Sequence, residues 1–389
     1  MDFDKIIDRR NTGCVKYDGL RQAYGRDDLL PLWIADMDFE VCPAVYEALE
    51  KRVNHKIYGY STVCDSYWES IMGWLKRRHG FTVGRDELCF VPGIVRGIGY
   101  VVNHFTAPGD KILIQEPVYH PFKNVVEGNG RIAVNNQLHY SDGTLRMDFE
   151  SLEAKIKDEN PRMMILCNPH NPGGIVWSKP DLEKVARICA SYGVVVVSDE
   201  IHGDIELFGN RYTPFAMVSE EAAMNSIVFG APSKTFNIPG LASSWCVIKN
   251  PALRGSFFKW MEVNEFSSPT MFVTIATEAA YTKGEKWLDS LLRYLEGNIL
   301  FVEKYLGDNI PQIKPLRPQA SFLMWLDCSA TGLKGLRLDD LFISKAHLAL
   351  NDGEMFGKGG ECHMRLNVAC PRKVLEKALL QLAEAVARF

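Results

Sequence analysis

Two kinds of hydrophobic pattern alternate through the middle of the chain. Lys111–Gln115 (KILIQ), Met163–Cys167 (MMILC), Val194–Ser198 (VVVVS) and Ser226–Phe229 (SIVF) are short runs of continuous apolar character. This is the pattern of strands covered on both faces. Stretches with helical spacing lie between several of them. In Ser178–Tyr192, Ser178 can cap, Pro180 falls in the first turn, and apolar residues recur at Leu182, Val185, Ala186 and Cys189. The alternation predicts an α/β domain with a mostly parallel sheet. The last third differs: Asn250–Gly307 reads as almost wholly helical, Ser321–Asp327 as a strand, Leu338–Leu348 as a helix, Met364–Val368 as a strand and Pro371–Phe389 as a closing helix. That order suits a smaller α+β domain, with the long helical stretch bridging the two.

Composition narrows the class. A chain of 389 residues, 47% hydrophobic and 24% charged, has ample material for a large core without metal or disulfide staples. A formal net charge of -4 gives no basic face, so no nucleic-acid partner is expected. The N-terminal MDFDKIIDRRN has no apolar signal core, and no apolar run approaches membrane-span length. The ten cysteines are scattered without a C-x-x-C pair, and no histidine pair has zinc-ligand spacing. They read as reduced thiols of a cytoplasmic protein, with no metal site.

Several local patterns carry candidate chemistry. Asp199 ends the run VVVVSDEIH, at the carboxyl end of a predicted buried strand, where ligand sites of open α/β sheets collect; a capping or loop carboxylate is the ordinary alternative. Lys234, in APSKTFNIPGL, is flanked by Ala231, Pro232, Phe236 and Ile238, whereas a lone lysine is usually a solvated charge. Apolar surroundings disfavour its charged form, and a neutral amine is what Schiff-base chemistry requires. NPHNPGG (168–174) follows the strand MMILC and reads equally well as a Pro/Gly turn. VPGIVRGIG (91–99) places glycines at the opening of a helix, where backbone amides can cradle a phosphate. In MRLNVACPR (364–372), a strand arginine could clamp a carboxylate bidentately.

The order and spacing of these patterns resemble the fold-type I aminotransferase superfamily over nearly the whole chain. Within it, the sequence is most similar to the branch of cystathionine β-lyases and cysteine-S-conjugate C–S lyases that includes the maltose-regulon modulator type. The residues that carry the likeness are PLWIADMDF (31–39), YGYS (58–61), EPVYHPF (116–122), NPHNPGG, SDEIHGD (198–204), SKTFNIPGL (233–241) and FGKGGECHMRLNVACPR (356–372). The resemblance implies an aspartate-aminotransferase-like α/β fold. Residues 43–282 would form a large domain that binds pyridoxal 5'-phosphate, with a seven-stranded type of sheet between helices. Residues 283–389 would form the small domain, to which an N-terminal arm, residues 1–42, contributes.

It also implies roles, residue by residue. Lys234 would bind the cofactor as a Schiff base and then remove the substrate's α-proton. Asp199 would pair with the pyridine nitrogen, Asn171 would bond the ring oxygen and contact substrate, and Tyr119 would stack on the ring rather than simply pack in the core. His202 would give polar support rather than act as an acid or base. Gly93, Ile94 and Val95 would hold the phosphate through their amides, with the Ser233 hydroxyl. Tyr60, in preference to Tyr58, would reach the phosphate of the other subunit in a homodimer with shared active sites. Arg365 would bind the substrate α-carboxylate, with a backbone contact from Ala35. Many relatives carry arginine where this chain has Ala242, which leaves the phosphate charge without an obvious partner. The activity implied is β-elimination from cystathionine or a related cysteine conjugate, giving pyruvate, ammonia and a thiol. The alternatives are an aminotransferase with a 2-oxo acid acceptor and a regulatory protein with residual lyase activity.

Overall fold

The computed structural model describes residues 1–141 and 143–388. Its centre is a seven-stranded sheet of β1 (Leu88–Val91), β2 (Lys111–Ile114), β3 (Ile132–Asn135), β4 (Met163–Cys167), β5 (Val195–Asp199), β6 (Ser226–Gly230) and β7 (Ser244–Val247). The spatial order is β1-β7-β6-β5-β4-β2-β3. Pairing is parallel except around β7, which runs antiparallel to both β1 and β6. Alternate residues of one strand enter different cores: Met163, Ile165 and Cys167 join one cluster, and Met164 and Leu166 the other. This two-sided burial is why the strand sequences are continuously apolar. The Ser178 hydroxyl accepts from the Asp181 amide and caps the helix Lys179–Ser191, as predicted.

The C-terminal third contains an antiparallel sheet of β8 (Lys314–Leu316), β9 (Leu323–Asp327), β10 (Asn351–Asp352) and β11 (His363–Asn367), ordered β8-β9-β11-β10. The helical stretch predicted from 250 to 307 is three helices, Pro251–Val263, Met271–Lys283 and Glu285–Asn309. The first break contains Glu265 at a φ of 60°, in the left-handed region where a helix cannot continue. The helix predicted over Leu338–Leu348 is present but ends earlier: the α-helix Leu336–Asp339 continues as a π-helix over Asp340–Lys345, and Leu348–Ala349 then pairs as a strand with Leu30–Pro31. His347, at a φ of 54°, marks the switch. The closing helix spans Arg372–Arg388, and the predicted end at Phe389 lies outside the described residues.

The N-terminal segment 32–39 is tied down on both sides. Asn367 Nδ2 donates to the carbonyl oxygens of Ile34 (2.6 Å) and Asp36 (2.7 Å). Asn237 accepts from the Met37 amide at 2.9 Å and donates to the Met37 and Phe39 carbonyls. Lys16, fully buried, bonds Asp38 at 2.7 Å, and Arg9 bridges Asp36 and Asp38. Two cations facing two carboxylates make this burial of charge tolerable.

Candidate active site

The carboxyl ends of β4 and β5 face the amino end of helix Ile94–Phe105, and a cavity of about 300 Å³ opens between them. Its lining brings together residues from distant parts of the sequence: Ala35, Gly93, Ile94, Val95, Tyr119, Asn171, Asp199, His202, Ser233 and Lys234. Register places Asp199 directly beside Cys167 on the neighbouring strand. Gly93, the residue before the helix, has a φ of 111°, which side-chain-bearing residues rarely adopt. The turn it makes aims the first helical amides at the cavity, and helix geometry leaves those of Ile94, Val95 and Arg96 without intrahelical acceptors.

Asp199 is buried, and its carboxylate accepts one backbone hydrogen bond, from the Ile201 amide at 3.1 Å. Among the described residues no cation forms an ion pair with it. Burial therefore dominates and pushes its carboxyl up to about 6, against smaller opposing effects of the Ile201 amide and Lys234. A deeply buried acid in this state is poised to pair with a cationic group brought in by a ligand. Lys234 keeps part of its surface on the cavity, and its ammonium donates to the Ala35 carbonyl oxygen. Burial pulls its amine down to about 8, Asp36 and Asp199 oppose that shift, and Arg365 adds to it. His202 is buried with an unpartnered Nδ1, and burial, then Lys234 and Arg365, hold its imidazole down at about 3, so it is neutral. Burial also raises the Tyr119 phenol, with Asp199 adding to the effect.

Arg365 lies behind Asn171, on β11. Its guanidinium donates to Asn171 Oδ1 (3.1 Å), the Trp33 carbonyl oxygen (3.0 Å) and Asn351 Oδ1, while its Nε has no partner. These acceptors are neutral, so the cation is oriented but not neutralised, and it sits over the Phe356 ring at 4.9 Å. Burial lowers its pKa to about 10. The structure thus gathers Arg365 with the cavity residues, but not Tyr60 or Tyr58. Tyr60 is wholly exposed, and Tyr58 donates its hydroxyl to the Val53 carbonyl oxygen. Ser233 donates its hydroxyl to the Ser243 carbonyl oxygen at 3.0 Å, and Ala242 lines the same cavity. Sequence reasoning did not single out Arg96 and Ser244 in the lining, or Trp33 and Asn351 behind Arg365. Arg96 alone had a local signal, its place in the first turn after Gly93.

In chemical terms the cavity offers an amine near neutrality, an isolated buried carboxylate, an aromatic face and a set of free amides, with an oriented arginine behind Asn171. Known proteins resemble the chain over its whole length. Cystathionine beta-lyase PatB of Bacillus subtilis (strain 168) is 42% identical over 386 residues, covering 99% of this chain and 100% of that one. The crystal structure of cystalysin from Treponema denticola, which contains pyridoxal 5'-phosphate, superposes with a TM-score of 0.95 at 33% identity, covering 100% of this chain and 99% of the other. The PLP-bound C–S lyase of Staphylococcus hominis gives 0.93 at 34% identity, with coverage of 99% and 98%. The model of the family described as aminotransferase class I and II matches residues 27–382, and the chain belongs to that family.

Proposed function

We propose that this protein is a pyridoxal-phosphate-dependent carbon–sulfur β-lyase that cleaves cystathionine or a related cysteine S-conjugate to pyruvate, ammonia and a thiol. The observation that carries the reading is the pairing, in one cavity, of Lys234, an amine held near 8, with Asp199, a buried carboxylate lacking a cation. The cofactor supplies what is missing on both sides: an aldehyde for the amine and a protonatable ring nitrogen for the carboxylate. Its phosphate matches the free amides after Gly93, and the Ser233 hydroxyl would join them by turning from the Ser243 carbonyl. The full-length likeness to proteins named as cystathionine and C–S lyases supports the reaction class.

When bound, pyridoxal phosphate supplies an electron sink for the pair left at the substrate's α-carbon. The remaining work falls to the chain. Asp199 would hold a proton on the ring nitrogen, and Tyr119 would offer the ring an aromatic face. Arg365, kept in place by Asn171, Trp33 and Asn351, clamps the α-carboxylate. Lys234 Nζ takes the proton from the α-carbon, which a neutral amine near pH 8 can do. Loss of thiolate from the β-carbon then competes with return of that proton. His202, neutral and buried, would support the cofactor without carrying charge.

Assembly and place belong to the same reading. The exposed Tyr60 is assigned to the partner's phosphate site in a two-fold homodimer, and its exposure in one chain supports that assignment. Residues 43–282 are assigned to the large domain and 283–389 to the small one, with the arm 1–42 added to it. The confinement of the seven-stranded sheet to residues 88–247 and of the four-stranded sheet to 314–367 supports this division. The ten cysteines are unpaired, which favours a reducing cytoplasm, and no helix among the described residues is long and apolar enough to cross a membrane.

Incubation with cystathionine should release pyruvate, ammonia and homocysteine in equal amounts, and cystine should give pyruvate, ammonia and thiocysteine, in both cases without added keto acid. Turnover that strictly requires a 2-oxo acid and leaves the thioether intact would instead establish an aminotransferase. Cofactor binding without either turnover would leave the regulatory reading.

A further inference from the structure

The phosphate of the proposed cofactor brings about -1.5 to -2 charges at neutral pH. The amino end of helix Ile94–Phe105 offers only about +0.5. Ser233, Ser244 and Ala242, which line the same cavity, are uncharged. Among the described residues of the lining, the cationic side chains are Lys234, committed to the cofactor's aldehyde, and Arg96.

Arg96 is the third residue of that helix. Helical side chains lean toward the amino terminus, so a long one at this place folds back over the free first-turn amides. The structure has this arrangement: the Arg96 guanidinium reaches back past the helix start and donates to the Pro92 carbonyl oxygen at 3.0 Å. Among the described residues it pairs with no acid. A cation at the positive end of a helix is unfavourable by itself, which a bound anion would reverse.

We propose that Arg96 is the cation that neutralises the cofactor phosphate, moving from the Pro92 carbonyl to the phosphate oxygens. This rests on the reading that the cavity holds pyridoxal phosphate, and the test separates the two. The cofactor-free full-length protein is titrated with pyridoxal phosphate and with pyridoxal, which has the aldehyde but no phosphate, following the absorbance of the bound form. Arg96→Gln should weaken pyridoxal phosphate binding by on the order of tenfold, leave pyridoxal binding unchanged and weaken competition by inorganic phosphate to a similar extent. Arg96→Lys should recover most of the loss. Unchanged pyridoxal phosphate affinity in Arg96→Gln, or equal weakening of both compounds, would overturn the assignment. Failure of the wild-type protein to bind either compound at Lys234 would overturn the cofactor reading instead.

Discussion

Replacing Asp199 by asparagine should stabilise the cofactor-free protein while crippling the loaded one. The amide is nearly the same size and still accepts the Ile201 hydrogen bond. In the cofactor-free protein the folded carboxyl sits at about 6, against an ordinary value of 3.8. Because the folded value is raised, the carboxylate opposes folding. That cost is absent below about pH 4, grows between about 4 and 6, and is complete above 6. At about 1.4 kcal/mol per pH unit, the full cost is about 3 kcal/mol, and roughly half of it remains at pH 5. For a chain this long, about 3 kcal/mol raises the apparent Tm by about 4 °C. Thermal unfolding of cofactor-free wild-type and Asp199→Asn protein at pH 8 and pH 5 tests this directly. With cofactor the sign reverses: loss of the partner to the ring nitrogen should lower kcat/KM by about a hundredfold or more. If the cofactor-free variant were no more stable than wild type at pH 8, or if its advantage did not shrink toward pH 5, Asp199 would not be the isolated buried charge described above.

Three further outcomes follow from the same site. Borohydride should fix the cofactor on Lys234, and the rate of cofactor attachment should rise with pH to a midpoint near 8, where the buried amine loses its proton; a midpoint near the ordinary 10.5, or an adduct on another lysine by mass spectrometry, would contradict the assignment. Arg365→Lys should lower kcat/KM by about 10- to 100-fold for every amino-acid substrate alike, since lysine cannot reproduce the planar fork; a loss confined to one side-chain class would place Arg365 in a specificity pocket. Mixing inactive Lys234→Ala with inactive Tyr60→Phe subunits should restore activity through hybrid dimers; full activity in a demonstrated monomer would refute the shared site.

The parts of the fold legible in the sequence were those whose burial leaves a one-dimensional trace. β4 and the Val195–Val197 part of β5 are apolar because both faces of the sheet are covered. β3 left no such trace because Ile132 is half exposed at the sheet edge. The helix after Leu338 was legible but its end was not: the apolar spacing persists to Leu348, whereas the helix stops at Lys345 and the backbone turns at His347 to pair Leu348 with Leu30. The cavity residues were readable because each lies in a short motif next to a strand end or helix start. The acceptors behind Arg365 were not: Trp33 and Asn351 meet it through the packing of the N-terminal segment and a short strand pair, and neither contact has local spacing to betray it. Arg96 was hidden for the opposite reason, since an exposed arginine in a helix is ordinarily a solvated charge.

The same electrostatics explain why these side chains stay buried in a chain that gains nothing from them in folding. Lys234 and Arg365 are cations whose charge burial disfavours, and Arg365 further disfavours the charge on Lys234. Asp199 is an anion whose charge burial also disfavours, and it lies too far from either to form an ion pair. Pairing the three directly would stabilise the fold, but each would then have to be released before a ligand could bind. Holding them apart with neutral acceptors, Ala35 for the lysine and Trp33, Asn171 and Asn351 for the arginine, keeps each oriented at little reorganisation cost. In the proposed reaction Asp199 would gain the ring nitrogen as partner, Lys234 would be joined to the cofactor's aldehyde with loss of water, and Arg365 would gain the substrate carboxylate. The folding energy withheld in the empty site thus becomes binding energy for cofactor and substrate, directed at the atoms where the chemistry occurs.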